Sequence, residues 1–403
     1  MNADDLLPAG VALALALLTS HLLRRRSAHP RPASRYQTID GLRGYLAFGV
    51  FLHHAAIWQM YRQGGQWMLA APASHGYLNF GRASVALFFM ITAFLFCRRV
   101  LEARSQPIDW LHLYVSRLMR LAPVYGLAML LLFIVVGVET RWTLAVPAAE
   151  LGQQVLDWLL FGFAGMPDIN GLHGTALVLA SVVWSLAYEW LFYLALPMFA
   201  WLIGTAPPLW VLGAPVLALV AVAVTISTLE FKYVLAFAPG MAAAVLVASP
   251  ALKRFAPSPW ASLLVLACLT WQFVEYSDAF ATRSIAALGL AFILIAAGTS
   301  LFGLLTTRLS TDFGEPTYSV YLLHGALLFI CFKYVLGTSF AASLSTTQHW
   351  LIVWALAPIL VAISIATNRA IEQPMMAAAG PVTARIRSRT RELASLWFGR
   401  RRR

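Results

Sequence analysis

Eleven apolar runs of roughly membrane-spanning length dominate this chain, at about 6–23, 44–61, 83–97, 121–138, 184–204, 209–227, 231–249, 260–276, 283–302, 316–336 and 350–368. A hydrocarbon core of about 30 Å is crossed by about 20 apolar helical residues. Backbone N–H and C=O groups find no water there, so each run has to bond internally as a helix. The expected fold is all-α: a polytopic integral membrane helix bundle with a ten-span core plus an N-terminal extra span. Run 83–97 is short and extends toward Asn79. Leu151–Ala164 reads instead as an interfacial helix, because Gln153, Gln154 and Asp157 occupy one face of it.

Only 11% of the 403 residues are charged, where a soluble globular chain carries about 25%. The net charge of +12 would suit a nucleic-acid binder, but the basic residues sit in short loops and tails between apolar runs. That is the positive-inside pattern, and no nucleic-acid partner is expected. Arg24–Arg26, Arg31 and Arg35 share one loop, and Arg98, Arg99, Arg104, Arg117 and Arg120 the next basic one. Lys253, Arg254, Arg308 and the tail fall on the same side if the spans alternate. The opposite loops hold Glu139, Arg141, Glu150, Asp157, Asp168, Glu230, Lys232 and Asp278. The N-terminus is therefore placed outside and the C-terminus in the cytosol. The first run is an anchor rather than a cleaved signal, since Asp4 and Asp5 precede it and its arginines follow it. The expected organisation is an anchor and basic loop at 1–35, a membrane domain at 36–375 and a basic tail at 376–403, held near anionic headgroups. Cys97, Cys268 and Cys331 have unrelated spacings, so neither a disulfide framework nor a metal site follows.

Ionisable groups at membrane depth point to function. Arg43 and His53 open one apolar segment, and ten residues at about 1.5 Å each put the imidazole roughly 15 Å deeper than the guanidinium. That suits an anionic ligand held at the mouth and a proton-transfer group further in. Arg117 and Arg120 are three apart and share a helix face; paired guanidinium groups clamp phosphates, although topology alone also places such pairs. Glu189 lies among Trp184, Tyr188, Trp190, Phe192 and Tyr193, one turn from Ser185, and needs a partner if buried. Tyr318, Tyr321 and His324 form a stripe facing a cavity. Glu372 precedes Pro374, which would end the last helix. His53 and His54 point about 100° apart, so one cavity should use only one of them. Phase favours His54, but Gly49 leaves room for a ligand beside His53, whereas Val50 and Phe51 crowd His54.

These segments together resemble the acyltransferase 3 family of bacterial multi-pass enzymes that acylate carbohydrates. The pieces are DGLRG with Arg43 and His53, LFFMITAFL (Leu87–Leu95), SRLMRLAP (Ser116–Pro123), WSLAYEWLFY (Trp184–Tyr193), GEPTYSVYLLH (Gly314–His324) and IEQP (Ile371–Pro374), all in the family's order. Thr92-Ala93 departs from the family's usual Ser-Gly, and the added methyl would narrow a helix contact or an acyl channel. The resemblance implies cytosolic acyl-CoA, with acetyl-CoA expected, as donor substrate and no permanently bound cofactor. The acceptor would be a hydroxyl of a cell-envelope or exported carbohydrate, and the location the bacterial cytoplasmic membrane. His53, Arg43 and Glu189 are the expected catalytic residues: His53 as general base or as an acyl-carrying relay, two mechanisms the sequence does not choose between, and Glu189 to orient or charge-stabilise that imidazole or to contact the acceptor. Arg117 and Arg120, with Arg43, would hold CoA; Trp184, Tyr188, Tyr318, Tyr321 and His324 would contact the acceptor. The rival reading is a transporter or flippase for an acyl or glycan substrate, which predicts inverted repeats that the chain does not display.

Overall fold

A computed structural model describes residues 5–25, 35–64, 67, 75–103, 107–205, 207–208, 210–211, 213, 216–217, 230–275 and 278–400. They form α1 (Leu7–Arg25), α2 (Gln37–Tyr61), α3 (His75–Glu102), α4 (Trp110–Glu139), α5 (Ala148–Leu159), α6 (Trp184–Leu202), α7 (Ala238–Leu246), α8 (Pro259–Glu275), α9 (Thr282–Ala297), α10 (Thr317–Phe329), α11 (Thr346–Thr367) and α12 (Ala379–Arg400). Shorter turns and helices lie between them, and the described residues contain no strand, only an isolated bridge between Ile169 and Leu172. The all-α expectation holds.

Among the described residues six helices are long and apolar enough to cross a membrane: Leu7–Arg24, His75–Glu102, Trp110–Glu139, Trp184–Leu202, Thr317–Val335 and Thr346–Leu393. Phe231–Leu246, Pro259–Glu275 and Thr282–Ala297 are shorter apolar helices. The protein is thus a multi-pass membrane protein. Run 209–227 lies mostly outside the described residues. The first turns of α2, α3 and α4 begin well before the apolar runs did, because polar residues that break a hydropathy run do not break a helix. Arg43 therefore sits inside α2, in its second turn, and not at the helix mouth.

α2 is the axis of the bundle: α3, α10 and the short helix Arg308–Phe313 pack along it, and most of its residues from Thr38 to Gln59 are buried. Gly49 permits a close approach of α3, since a Cβ there would lie 2.9 Å from the Phe80 carbonyl oxygen and 3.0 Å from Ser84 Oγ. The missing side chain is filled by the α3 backbone, so the space expected there for a ligand does not exist. Buried polar groups cross-link the helices where apolar packing gives no register: Gln272 Nε2 donates to Asn79 Oδ1 at 2.8 Å between α8 and α3, and Arg24 of α1 pairs with Glu315 beside α10. Such bonds are favoured where water cannot compete.

Pro374 does not end the last helix. Asn368–Glu372 winds as a π-helical turn and the chain continues helically through Gln373–Ala377 before α12. Proline is accommodated in the first turn of a new helical segment, where its missing N–H has no intrahelical partner to lose. Glu372 is buried and receives a hydrogen bond from Ser319 Oγ at 3.3 Å. α5 buries only Trp158 and leaves Leu156 and Leu159 exposed, as an amphipathic surface helix does.

Candidate active site

Two cavities meet inside the bundle. The first is small, about 100 Å³, and lies at the Arg43 end of α2. Arg43, Arg117, Arg120, Glu189, Tyr193, Tyr318 and Tyr321 line it, with Phe88, Phe89, Leu95 and Phe96 as apolar wall. Arg43 comes from α2, the apolar wall from α3, the arginine pair from α4, Glu189 and Tyr193 from α6 and Tyr318 and Tyr321 from α10, so five helices bring together residues up to 278 positions apart (43 to 321). The second cavity is larger, about 730 Å³, and opens at the His53 end of α2. Val85 and Tyr321 line both; the two spaces adjoin at that wall.

The arginine cavity is held in shape by its own charges. Arg43 lies 3.7 Å from Asp40 one turn earlier. The Arg117 guanidinium lies over the Phe96 ring at 5.1 Å, a cation–π arrangement that orients it without consuming its donors. Glu189 accepts a hydrogen bond from Tyr193, its i+4 neighbour on the helix face. The carboxylate partner expected from the sequence is therefore a tyrosine. No hydrogen bond joins Glu189 to His53, whose partner is Tyr77; Glu189 lines the arginine cavity and does not orient that imidazole. Tyr318 donates to the Leu121 carbonyl at 3.0 Å, and Tyr321 bonds Ser185 at 2.7 Å and the Val182 carbonyl at 3.2 Å, which fixes the wall between the cavities.

The histidine cavity decides its own tautomers. His53 Nδ1 lies 2.9 Å from the Tyr77 carbonyl oxygen. A carbonyl only accepts, so Nδ1 carries the proton and Nε2 keeps its lone pair. A Cβ on Gly81 would strike the His53 ring, so α3 supplies the room that the imidazole needs. His54 Nδ1 faces the Val50 carbonyl at 2.9 Å and His324 Nε2 at 3.0 Å, while His324 Nδ1 faces the Val320 carbonyl at 3.0 Å. Each carbonyl again takes a donor, so His54 shares its Nδ1–H between Val50 and His324, and its own Nε2 is unprotonated.

Both histidines line the one cavity, against the expectation that a 100° separation admits only one. α2 and α3 form one wall of the cavity, facing Trp184 and Tyr188 of α6 and the segment before it, and the space is wide enough for two adjacent rings to reach it. His324 is fully buried behind His54 and lines neither cavity, so the tyrosine–histidine stripe is split: tyrosines face the cavities, and His324 braces a neighbour. Trp184 and Tyr188 line the larger cavity beside Tyr233, with Trp184 and Tyr233 ring centres 4.6 Å apart.

Sequence reasoning missed Arg82 as a lining residue and treated Glu230, Lys232 and Asp278 only as loop charges; all four line the histidine cavity. The available signal was Arg82 itself, a cation next to Gly81 at the start of an apolar run. The departure at Thr92-Ala93 resolves into two effects. Thr92 lines the arginine cavity, whereas Ala93 packs against Gly240 of α7, where a Cβ would meet it at 2.8 Å.

Arginines at one end of a continuous helix, oriented imidazoles at the other and two adjoining cavities between them have the layout of a group-transfer site. A family model described as an acyltransferase domain, acyltransferase 3, matches residues 36–369. The chain belongs to the acyltransferase 3 family. No curated protein and no solved structure matches it, so activity is known at the level of a membrane acyltransferase, and the roles of individual residues rest on the geometry above.

Proposed function

We propose that this protein moves an acetyl group from cytosolic acetyl-CoA to a hydroxyl of a cell-envelope or exported carbohydrate. The single observation that supports this best is the pair of cavities joined at Tyr321 and Val85, cationic on one side and basic on the other. In this reading Arg43, Arg117 and Arg120 face the diphosphate of CoA, with guanidinium forks suited to phosphate oxygens. The thioester then lies toward His53, about 15 Å along α2.

His53 Nε2 takes the proton of the acceptor hydroxyl as that oxygen attacks the thioester carbonyl carbon. The carbon–sulfur bond breaks, and the imidazolium returns the proton to the CoA sulfur, leaving an ester and free thiol. A lone pair at Nε2 with Nδ1–H anchored on a backbone carbonyl is the state a general base needs. Trp184 and Tyr188 present ring faces to the acceptor. Tyr318 and Tyr321 hold the passage between donor and acceptor, and His324 acts through His54. The chain is placed in the bacterial cytoplasmic membrane with eleven spans, N-terminus outside and C-terminus in the cytosol, which puts the arginine cavity on the CoA side.

Purified protein incubated with radiolabelled acetyl-CoA and a panel of envelope glycans tests the reading. Label transferred to a glycan as base-labile ester is expected. Label that stays with CoA across the whole panel, while CoA-free glycan is carried across reconstituted vesicles, would replace it with the transporter reading.

A further inference from the structure

A third cavity of about 340 Å³ lies beside the arginine cavity and shares Leu95 with it. It is formed by the start of α2, the end of α3 and the segment before α4, and its lining carries Arg35, Arg98, Arg99 and Glu102. Three guanidinium groups against one carboxylate leave a net charge of +2 (3 − 1). Glu102 accepts from both Arg35, at 2.7 Å, and Arg98, at 3.0 Å. One carboxylate thus holds two forks side by side, an arrangement in which a dianionic phosphate can take its place or bridge beyond it. Arg99 is exposed at the rim and forms no ion pair among the described residues. The remaining wall is flat and apolar: Tyr36, whose ring lies 5.3 Å from the Arg35 guanidinium, with Pro107 and Ile108.

We propose that this cavity binds the adenosine 3′-phosphate end of CoA, with Arg35, Arg98 and Arg99 on the 3′-phosphate and Tyr36, Pro107 and Ile108 against the adenine. The assignment rests on the acetyl-CoA reading above and extends it to residues that topology alone would explain. Size supports it. A cavity of about 100 Å³ is too small for an adenine nucleotide, whereas binding sites for ligands of that size start at roughly 300 Å³. Continuity supports it as well, since Leu95 lies between the two, so one extended ligand can pass from the surface cavity past Leu95 to Arg117, Arg120 and Arg43. Arg35 is 61% exposed, so the outer end of the site is open to water, as a strongly charged nucleotide requires.

Binding of adenosine 3′,5′-bisphosphate to the detergent-purified full-length protein, by isothermal titration, tests the site apart from catalysis. Wild type is expected to bind in a salt-sensitive manner. Arg35→Ala/Arg99→Ala is expected to lose about tenfold or more in affinity with an unchanged melting temperature. In kinetics the same variant should raise KM for acetyl-CoA about tenfold and leave acetyl-pantetheine, which lacks the nucleotide, unaffected; that second donor also proves the variant folded. Equal losses with both donors, or unchanged bisphosphate affinity in the variant, would overturn the proposal. Bisphosphate binding lost in the variant, in a wild type that transfers no acetyl group, would uphold this site and remove the acetyl-transfer reading instead.

Discussion

Replacing His53, His54 and His324 one at a time separates catalysis from packing in the histidine cavity. His53→Ala removes the oriented Nε2 lone pair. Loss of a general base lowers turnover about 10²- to 10⁴-fold, or about 2.7–5.5 kcal/mol of barrier at 1.36 kcal/mol per decade. The same change breaks one hydrogen bond, to the Tyr77 carbonyl, so stability should fall by only about 0.5–1.5 kcal/mol. His54→Ala has the opposite profile. It strands His324 Nε2, a buried acceptor that now bonds His54 at 3.0 Å, at a cost of about 1–3 kcal/mol, yet should keep at least about a tenth of wild-type turnover. His324→Ala together with His54→Ala should be less destabilising than the sum of the two, because the pair shares one contact. The assay is acetyl transfer in detergent micelles beside thermal unfolding of the same preparations. Substantial turnover by His53→Ala together with an inactive but folded His54→Ala would refute the assignment. It would make His54 the base and His324 its buried support.

Other outcomes follow from particular contacts. Arg117→Ala and Arg120→Ala should each weaken CoA binding roughly 10- to 150-fold, from about 1.5–3 kcal/mol per charged contact, without loss of membrane insertion; unchanged affinity in the double variant would return both to a topological role. Gly81→Ala should cut activity while α3 stays helical, because the added methyl meets the His53 ring; full activity would mean the ring can shift without penalty. The three native cysteines are buried, so background labelling is low: a cysteine at Thr143 should react with an impermeant maleimide in intact cells and one at Ser388 should not, with the reverse result inverting the topology. Asp109 caps α4 and binds Arg387 of α12 at 2.7 and 2.8 Å. Burial alone would raise its carboxyl pKa, but hydrogen bonds from Arg387 and the His112 N–H, with the Arg387 charge, hold it below the usual carboxylate range. A depressed carboxylate stabilises above its unfolded value near pH 4 and loses that contribution as pH falls through the folded value. Asp109→Asn at pH 7 should therefore reduce hydrogen-exchange protection of α12, and wild type should approach the same state only below about pH 4; equal protection in both at pH 7 would exclude this pair as the anchor.

Hydropathy by itself determined that the chain is helical and multi-pass, because a backbone in hydrocarbon has no other way to satisfy its polar groups. Residue chemistry at fixed helical spacing also made Arg43, Arg117, Arg120, Ser185 and Glu189 legible, since three- and four-residue steps define a face without knowledge of the neighbours. What the sequence could not supply was which faces meet. Glu189 seemed free to orient His53 until packing of α6 placed it with the arginines and gave it Tyr193. Gly49 looked like space for a ligand, and the α3 backbone fills it. His53 and His54 diverge on an isolated helix, yet a cavity wide enough between α2 and α6 receives both. Arg35, Arg98 and Arg99 read as loop charges until the ends of α2 and α3 closed around one cavity. A local pattern fixes where a side chain points from its own helix; only tertiary packing decides what stands opposite, and the chemistry lies in that second choice.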